Sequence, residues 1–172
     1  MAAQYHNIDL GQLALAPGAA RRLDIEVEPG ALSFGGESYS ASPGNVPARL
    51  DVSRTVAGHA LRLRFEAVLT GPCMRCLEAA ETTIGVDARE VSQPAAGDEE
   101  LESPYVDGEE LALGAWAHDA LALALPAQLL CRQDCRGLCP ECGGSLNDAR
   151  PGEHDHPRRV DPRLAKLGEL LK

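Results

Sequence analysis

The chain has 172 residues, a formal charge of −10 and six cysteines, a length that fits one domain with room for a small appendage. Its hydrophobic fraction of 44% is enough for a packed core and excludes wholesale disorder. With one Trp, three Tyr and two Phe, the core must be aliphatic, and a broad aromatic platform for bases or sugars is excluded.

The opening residues, Met1 to His6, lack the basic stretch followed by an apolar run that marks a signal peptide. A cytoplasmic protein is therefore expected, in a compartment where thiols stay reduced. Residues 21–28 alternate briefly and predict a strand. Residues 46–91 read as sheet. Leu50, Val52 and Val56 fall on alternate positions, as do Leu61, Leu63, Phe65, Ala67 and Leu69, while Arg62, Arg64 and Glu66 take the other face. Ala57-Gly58-His59 reads as the hairpin turn between these runs. After Gly71-Pro72 and a cysteine pair, Thr82, Ile84, Val86 and Ala88 alternate again, which predicts a meander of three antiparallel strands.

Ser92 to Glu110 holds seven acids, two prolines and no base, and reads as a solvated, mobile loop. Leu111 to Leu125 is rich in helix formers and stops at Pro126. Leu113, Trp116, Ala117, Ala120 and Ala124 share one helical face, so Trp116 is expected to anchor the core. His118-Asp119 interrupts this stretch, and no segment reaches the ~18 apolar residues of a membrane span. The tail is rich in turn residues until Asp161-Pro162, an N-cap followed by a first-turn proline. Leu164, Leu167 and Leu171 then form one stripe of a terminal helix. The expected division is an antiparallel β domain over 1–91, an acidic loop over 92–110, and a helix, Cys/His segment and terminal helix over 111–172.

The cysteines come in pairs: Cys73-Met-Arg-Cys76, Cys131-Arg-Gln-Asp-Cys135 and Cys139-Pro-Glu-Cys142. His154-Asp-His156 adds two imidazoles. Two thiolates two residues apart can grip one cation while the backbone between them turns back and aims N–H groups at the sulfurs. Pro140 fixes φ inside such a turn and Gly143 permits its left-handed closure. Eight soft or borderline ligands match one or two tetrahedral zinc ions. One partition joins Cys73/Cys76 with Cys131/Cys135, and Cys139/Cys142 with His154/His156. Another joins Cys73/Cys76 with Cys139/Cys142. The shorter loop favours the first. Either staples the tail to the sheet. A thioredoxin-like redox pair would sit where a strand enters a helix, whereas strands flank Cys73 and Cys76 on both sides. An iron–sulfur cluster remains an alternative for four thiolates.

His6, His59 and His118 are isolated and read as surface or capping residues. No Gly-rich phosphate loop, Gly-x-Ser-x-Gly or His-Glu-x-x-His occurs. If side chains fill every zinc position, none is left for a catalytic water. No enzyme and no small-molecule substrate are therefore expected.

The chain resembles the YceD family of large ribosomal RNA subunit accumulation proteins. The resemblance rests on Cys73-Met-Arg-Cys76-Leu77-Glu78, Leu125-Pro126, the run from Cys135-Arg-Gly137 through Cys139-Pro140-Glu-Cys142-Gly143-Gly144 to Leu146-Asn147, and Asp161-Pro162-Arg163-Leu164. Many members of the family carry Cys-x-Cys where this chain has His154-Asp-His156, a swap that zinc tolerates. The resemblance implies participation in making or accumulating 23S rRNA, and it supplies no catalytic mechanism.

The resulting expectation is an α+β protein with an antiparallel, barrel-like sheet and a zinc-ribbon-like C-terminal segment. It acts without catalysis in ribosome biogenesis. Residues 1–130 carry a net −11 and residues 131–172 a net +1, so only the tail suits phosphate. Arg132, Arg136, Arg150, Arg158, Arg159 and Arg163 are the candidate contacts to rRNA or a partner; surface pairing with nearby acids is the plainer account of them. The acidic body suits a basic ribosomal protein. A redox- or zinc-sensing regulator or chaperone is the alternative function.

Overall fold

The computed structural model describes residues 3–4, 7–94 and 101–156. Its strands are β1 (Ala3–Gln4), β2 (Ile8–Asp9), β3 (Ala20–Val27), β4 (Ala31–Phe34), β5 (Glu37–Ser42), β6 (Val46–Arg54), β7 (His59–Pro72), β8 (Ala79–Ser92), β9 (Val106–Asp107) and β10 (Glu110–Leu111). The helix α1 spans Leu113–Leu123.

The expected meander is present as β6–β7–β8, antiparallel throughout. The predicted strand at 21–28 is β3, which pairs antiparallel with β6. Strand β7 is long enough to serve two neighbours along one edge. Its first half pairs with β6, and Val68–Thr70 pairs with β5. The sheet therefore branches, one arm running β6–β3–β1 and the other β5–β4, with β8 on the far edge of β7. Among the described residues no pairing joins β8 to the end of either arm, so the sheet is open rather than closed into a barrel. The two-residue β1 departs from the antiparallel expectation by pairing parallel with β3.

Alternation sets the faces. Leu50, Leu63 and Leu69 are fully buried, and Leu113, Trp116, Ala117 and Leu121 of α1 close over them in one core. The other face of the sheet is a ladder of ion pairs: Arg22 with Asp51, Arg62 with Asp87, Arg49 with Asp24, and Arg64 with Asp51. Such pairs between half-exposed groups contribute about 0–1 kcal/mol each.

Further expectations are corrected. Val56 is not a strand residue; it sits 92% exposed in the turn after β6. That turn spans residues 55–58, and Thr55 and Gly58 bond each other within it. His59 belongs to β7 and is buried, so it is not a surface or capping residue. Burial, aided by Arg54, holds its pKa below the ordinary imidazole value against the pull of Glu109. The loop expected before α1 contains two short strands, with β10 pairing both β9 and β2. His118 is half-buried and donates from Nδ1 to the Pro29 carbonyl at 2.7 Å, tying α1 to the turn before β4. His6 and the predicted terminal helix lie outside the described residues.

Candidate metal centres

The first CxxC pair sits at the tip of the β7–β8 hairpin. Pro72 and Ala79 are the last paired residues, and Cys73 to Glu78 form the loop. Within it, Cys73 N–H donates to the Glu78 carbonyl at 2.7 Å and Leu77 N–H to the Cys73 carbonyl at 2.9 Å. Leu77 takes a left-handed φ of 63°. The second CxxC pair repeats this pattern. Cys139 N–H donates to the Gly144 carbonyl and Gly143 N–H to the Cys139 carbonyl, each at 2.8 Å, with Gly143 at φ 72°. Two unrelated stretches thus form the same turn. The second uses glycine where the conformation demands it, and the first places a leucine there at a cost of about 1–2 kcal/mol.

The chain after α1 is lashed to the first tip. Met74 N–H donates to the Leu129 carbonyl at 2.9 Å. Arg75 donates to the Cys135 carbonyl at 2.9 Å and to Gln128 Oε1 at 3.1 Å. Gly137, at φ 77°, lies against the Arg75 backbone, where a Cβ would come within 3.1 Å of the carbonyl oxygen. These bonds bring Cys131 and Cys135 beneath Cys73 and Cys76.

The ligand atoms of Cys73, Cys76, Cys131 and Cys135 all lie within 4.8 Å of one another, and the same holds for Cys139, Cys142, His154 and His156. Every sequence-predicted Cys and His ligand is brought into one of two tetrads. The grouping is the first of the two partitions, the one with the local second site.

The donor sets fit a tetrahedral cation. The Cys73–Cys135 and Cys76–Cys131 sulfurs are 3.8 and 3.5 Å apart. Four thiolates at ~2.3 Å from one zinc are ~3.8 Å apart. All six cysteines are free thiols. Three of the first four are buried, and N–H groups point at their sulfurs: Arg75 N–H at Cys73, 3.5 Å, and the Asn147 amide at Cys135, 3.6 Å.

In the second tetrad His154 lies with Nδ1 3.2 Å from Cys142 Sγ and Nε2 3.2 Å from the Ser145 carbonyl. A carbonyl only accepts, so Nε2 carries the proton and Nδ1 presents its lone pair to the cluster. The approach needs Gly144, since a Cβ there would sit 2.7 Å from His154 Cε1. His156 Nε2 is buried without a hydrogen-bond partner among the described residues; as the bare nitrogen of a neutral imidazole it offers a lone pair that a cation would satisfy.

Electrostatics agree. Burial pushes the Cys73 thiol up, but the N–H groups of Arg75, Cys131 and Cys76 outweigh it and draw the pKa down to about 6. Burial and the facing Cys76, Cys135 and Cys73 sulfurs push Cys131 up to about 12. The Glu78 N–H favours the Cys76 thiolate, yet burial and its neighbours leave Cys76 raised. The Cys142 and Glu141 N–H groups lower Cys139. A cluster that stabilises one thiolate and resists the next lacks positive charge, which is what a dication supplies.

Comparison with known proteins agrees with the motif pattern. A family model described as large ribosomal RNA subunit accumulation protein YceD matches residues 61–171. The chain belongs to the YceD family. Uncharacterised proteins of Mycobacterium tuberculosis and Mycobacterium bovis are 34% identical over 170 residues, covering 95% of this chain and 80% of theirs. One from Mycobacterium leprae is 36% identical over 105 residues, 58% of this chain and 46% of its own. No solved structure matches.

The YceD match spans both tetrads and α1. Of the candidate arginines, Arg132 pairs with Asp134 at 3.5 Å and Asp148 at 3.8 Å. Arg136 and Arg150 are exposed, with no ion pair among the described residues. Arg158, Arg159 and Arg163 lie outside those residues. Among the described residues no helix is long and apolar enough to cross a membrane. Sequence reasoning missed Arg75, Gly137, Ser145 and Asn147 as supports of the tetrads. The only signal for them was their place inside the motif strings.

Proposed function

We propose that this YceD-family chain is a non-enzymatic, cytoplasmic zinc protein that supports accumulation of large-subunit rRNA. In this reading the metal-bound segment, a zinc-ribbon-like module, is its contact surface. The observation that carries the reading is the pair of complete tetrads within a match to a family named for large-subunit rRNA accumulation. Each tetrad offers four side-chain ligands, so a four-coordinate ion is closed to a catalytic water and acts as a structural tie. Cys73, Cys76, Cys131 and Cys135 would hold one zinc, and Cys139, Cys142, His154 and His156 the other. Six free thiols at this spacing suit a reducing compartment. An iron–sulfur cluster is the weaker occupant, because ligand atoms all within 4.8 Å of one another close on a single ion and leave no room for a multi-iron core.

In this reading zinc fixes the turns, and the fixed turns present Arg136 and Arg150, followed in sequence by Arg158, Arg159 and Arg163, to rRNA phosphates. Arg132 is the weaker contact because Asp134 and Asp148 already engage it. The acidic body at −11 repels RNA elsewhere and suits a basic ribosomal protein. Depleting the protein should lower the ratio of large- to small-subunit rRNA. Wild-type chain should restore the ratio and Cys139→Ser should not. A ratio unchanged by full depletion would refute the ribosomal role.

A second reading, an oxidant- or zinc-responsive regulator or chaperone, draws on one observation: Cys142 is exposed while the first tetrad is mostly buried. It requires mild peroxide to release metal from the second tetrad and expose a client-binding surface. Retained metal would exclude it.

A further inference from the structure

The two tetrads are joined by one short chain of hydrogen bonds. Asn147 stands at its centre. Arg136 N–H donates to Asn147 Oδ1 at 2.8 Å, which fixes the amide so that its NH2 faces Cys135 Sγ, 3.6 Å away. The Asn147 backbone N–H donates to Ser145 Oγ at 3.3 Å. The Ser145 carbonyl accepts the His154 Nε2 proton, the bond that turns Nδ1 toward Cys142. Leu146 N–H donates to the Gly137 carbonyl at 2.8 Å, and Leu138 bridges Ser145, so the second turn is built on the stretch that follows Cys135.

We propose that Asn147 is a positioning residue that couples the two centres, so that metal in the four-cysteine centre tightens binding at the Cys/His centre, and the reverse. The inference rests on both tetrads binding metal. Metal at the first centre fixes the position of Cys135 Sγ, the acceptor of the Asn147 amide. The seated amide holds residues 145–147, and their carbonyl sets the His154 tautomer. Outer partners of ligands are worth about 10- to 100-fold in metal affinity. Coupling between binding free energies is reciprocal, so both centres must show the same factor.

Cobalt(II) titration of the metal-stripped full chain tests this, because four-sulfur and two-sulfur, two-nitrogen cobalt give distinct visible bands. In wild type the four-sulfur band should fill first and the second band should follow with raised affinity. Cys142→Ser should weaken the first centre by the same factor by which Cys73→Ser weakens the second. Asn147→Asp keeps the acceptor for Arg136 N–H but removes the donor to sulfur. It should bring both bands up independently, with the second centre weakened about tenfold or more. Both centres filling in Asn147→Asp with wild-type affinities would overturn the coupling and leave the metal reading intact. The absence of both bands in wild type would overturn the metal reading itself.

Discussion

Replacing Cys73 by Ser is expected to detach the segment from residue 126 to 156 from the β7–β8 tip while leaving the sheet folded. That segment has almost no apolar core of its own: Leu129, Cys135 and Cys139 are its only buried hydrophobics. Its place beneath the β7–β8 tip depends on the Met74–Leu129 backbone bond, on Arg75 and on the first tetrad, whose ligands are 62 residues apart in the chain between Cys73 and Cys135. Structural zinc supplies about 10–16 kcal/mol in small zinc modules, comparable to the ~5–15 kcal/mol stability of a whole domain. The sheet has independent support in fully buried Leu50, Leu63, Leu69 and Trp116. Hydrogen exchange should show lost protection over 126–137 and reduced protection over 138–156 in Cys73→Ser, with β6 to β8 protected as before. Cys142→Ser should lose protection only over 138–156. Wild-type protection throughout in Cys73→Ser would mean that metal does not staple the tail.

Metal affinity at the first tetrad should rise steeply with pH. Metal-free Cys73, drawn down to about 6, is already a thiolate at neutral pH, whereas Cys131, pushed up to about 12, and the raised Cys76 are still thiols. A dication takes thiolates, so binding expels at least two protons, and each expelled proton is worth tenfold in affinity per pH unit. Between about pH 6 and the Cys76 titration the affinity should rise at least about 100-fold per unit. Below about 6 Cys73 binds a proton as well and the dependence steepens. The sign follows from competition: protons favour the metal-free form, so metal-dependent stability is lost as pH falls. Competition against a chelator of known affinity at two neutral pH values measures the slope, and a slope near zero would contradict the charge distribution described.

Much of this was legible in the sequence because it follows periodicity. Leu61, Leu63, Phe65, Ala67 and Leu69 could only be one face of a strand, and the helix carried its buried side on Trp116, Ala117 and Ala120. The hairpin β4–β5 went unread because Glu-Ser-Tyr-Ser-Ala-Ser puts only Tyr39 and Ala41 inward, too little apolar contrast to register. Its signal was Gly35-Gly36, both at positive φ, between two short alternating runs. The strands within 101–111 were hidden by acidity: charge says that a segment is solvated, not that its backbone is unpaired. Val56 misled because an apolar residue in a turn looks like one more strand position.

For the metal centres, spacing supplied all eight candidate ligands, and loop-closure entropy pointed to their grouping. What spacing could not supply was the support. Arg75 and Asn147 act through a guanidinium and an amide that reach across 60 and 12 positions in the chain, and contacts of that kind leave no period. The same holds for Gly144, whose missing side chain matters only because His154 returns to it.

If each of the two tetrads holds one ion, the metal content per chain is fixed at two. Protein purified without added metal or chelator and weighed by native mass spectrometry should carry two zinc ions. Cys139→Ser should carry one, retained by the four-cysteine centre. Wild-type chain that is metal-free, or Cys139→Ser with the same metal content as wild type, would show that the two tetrads are not separate one-ion centres.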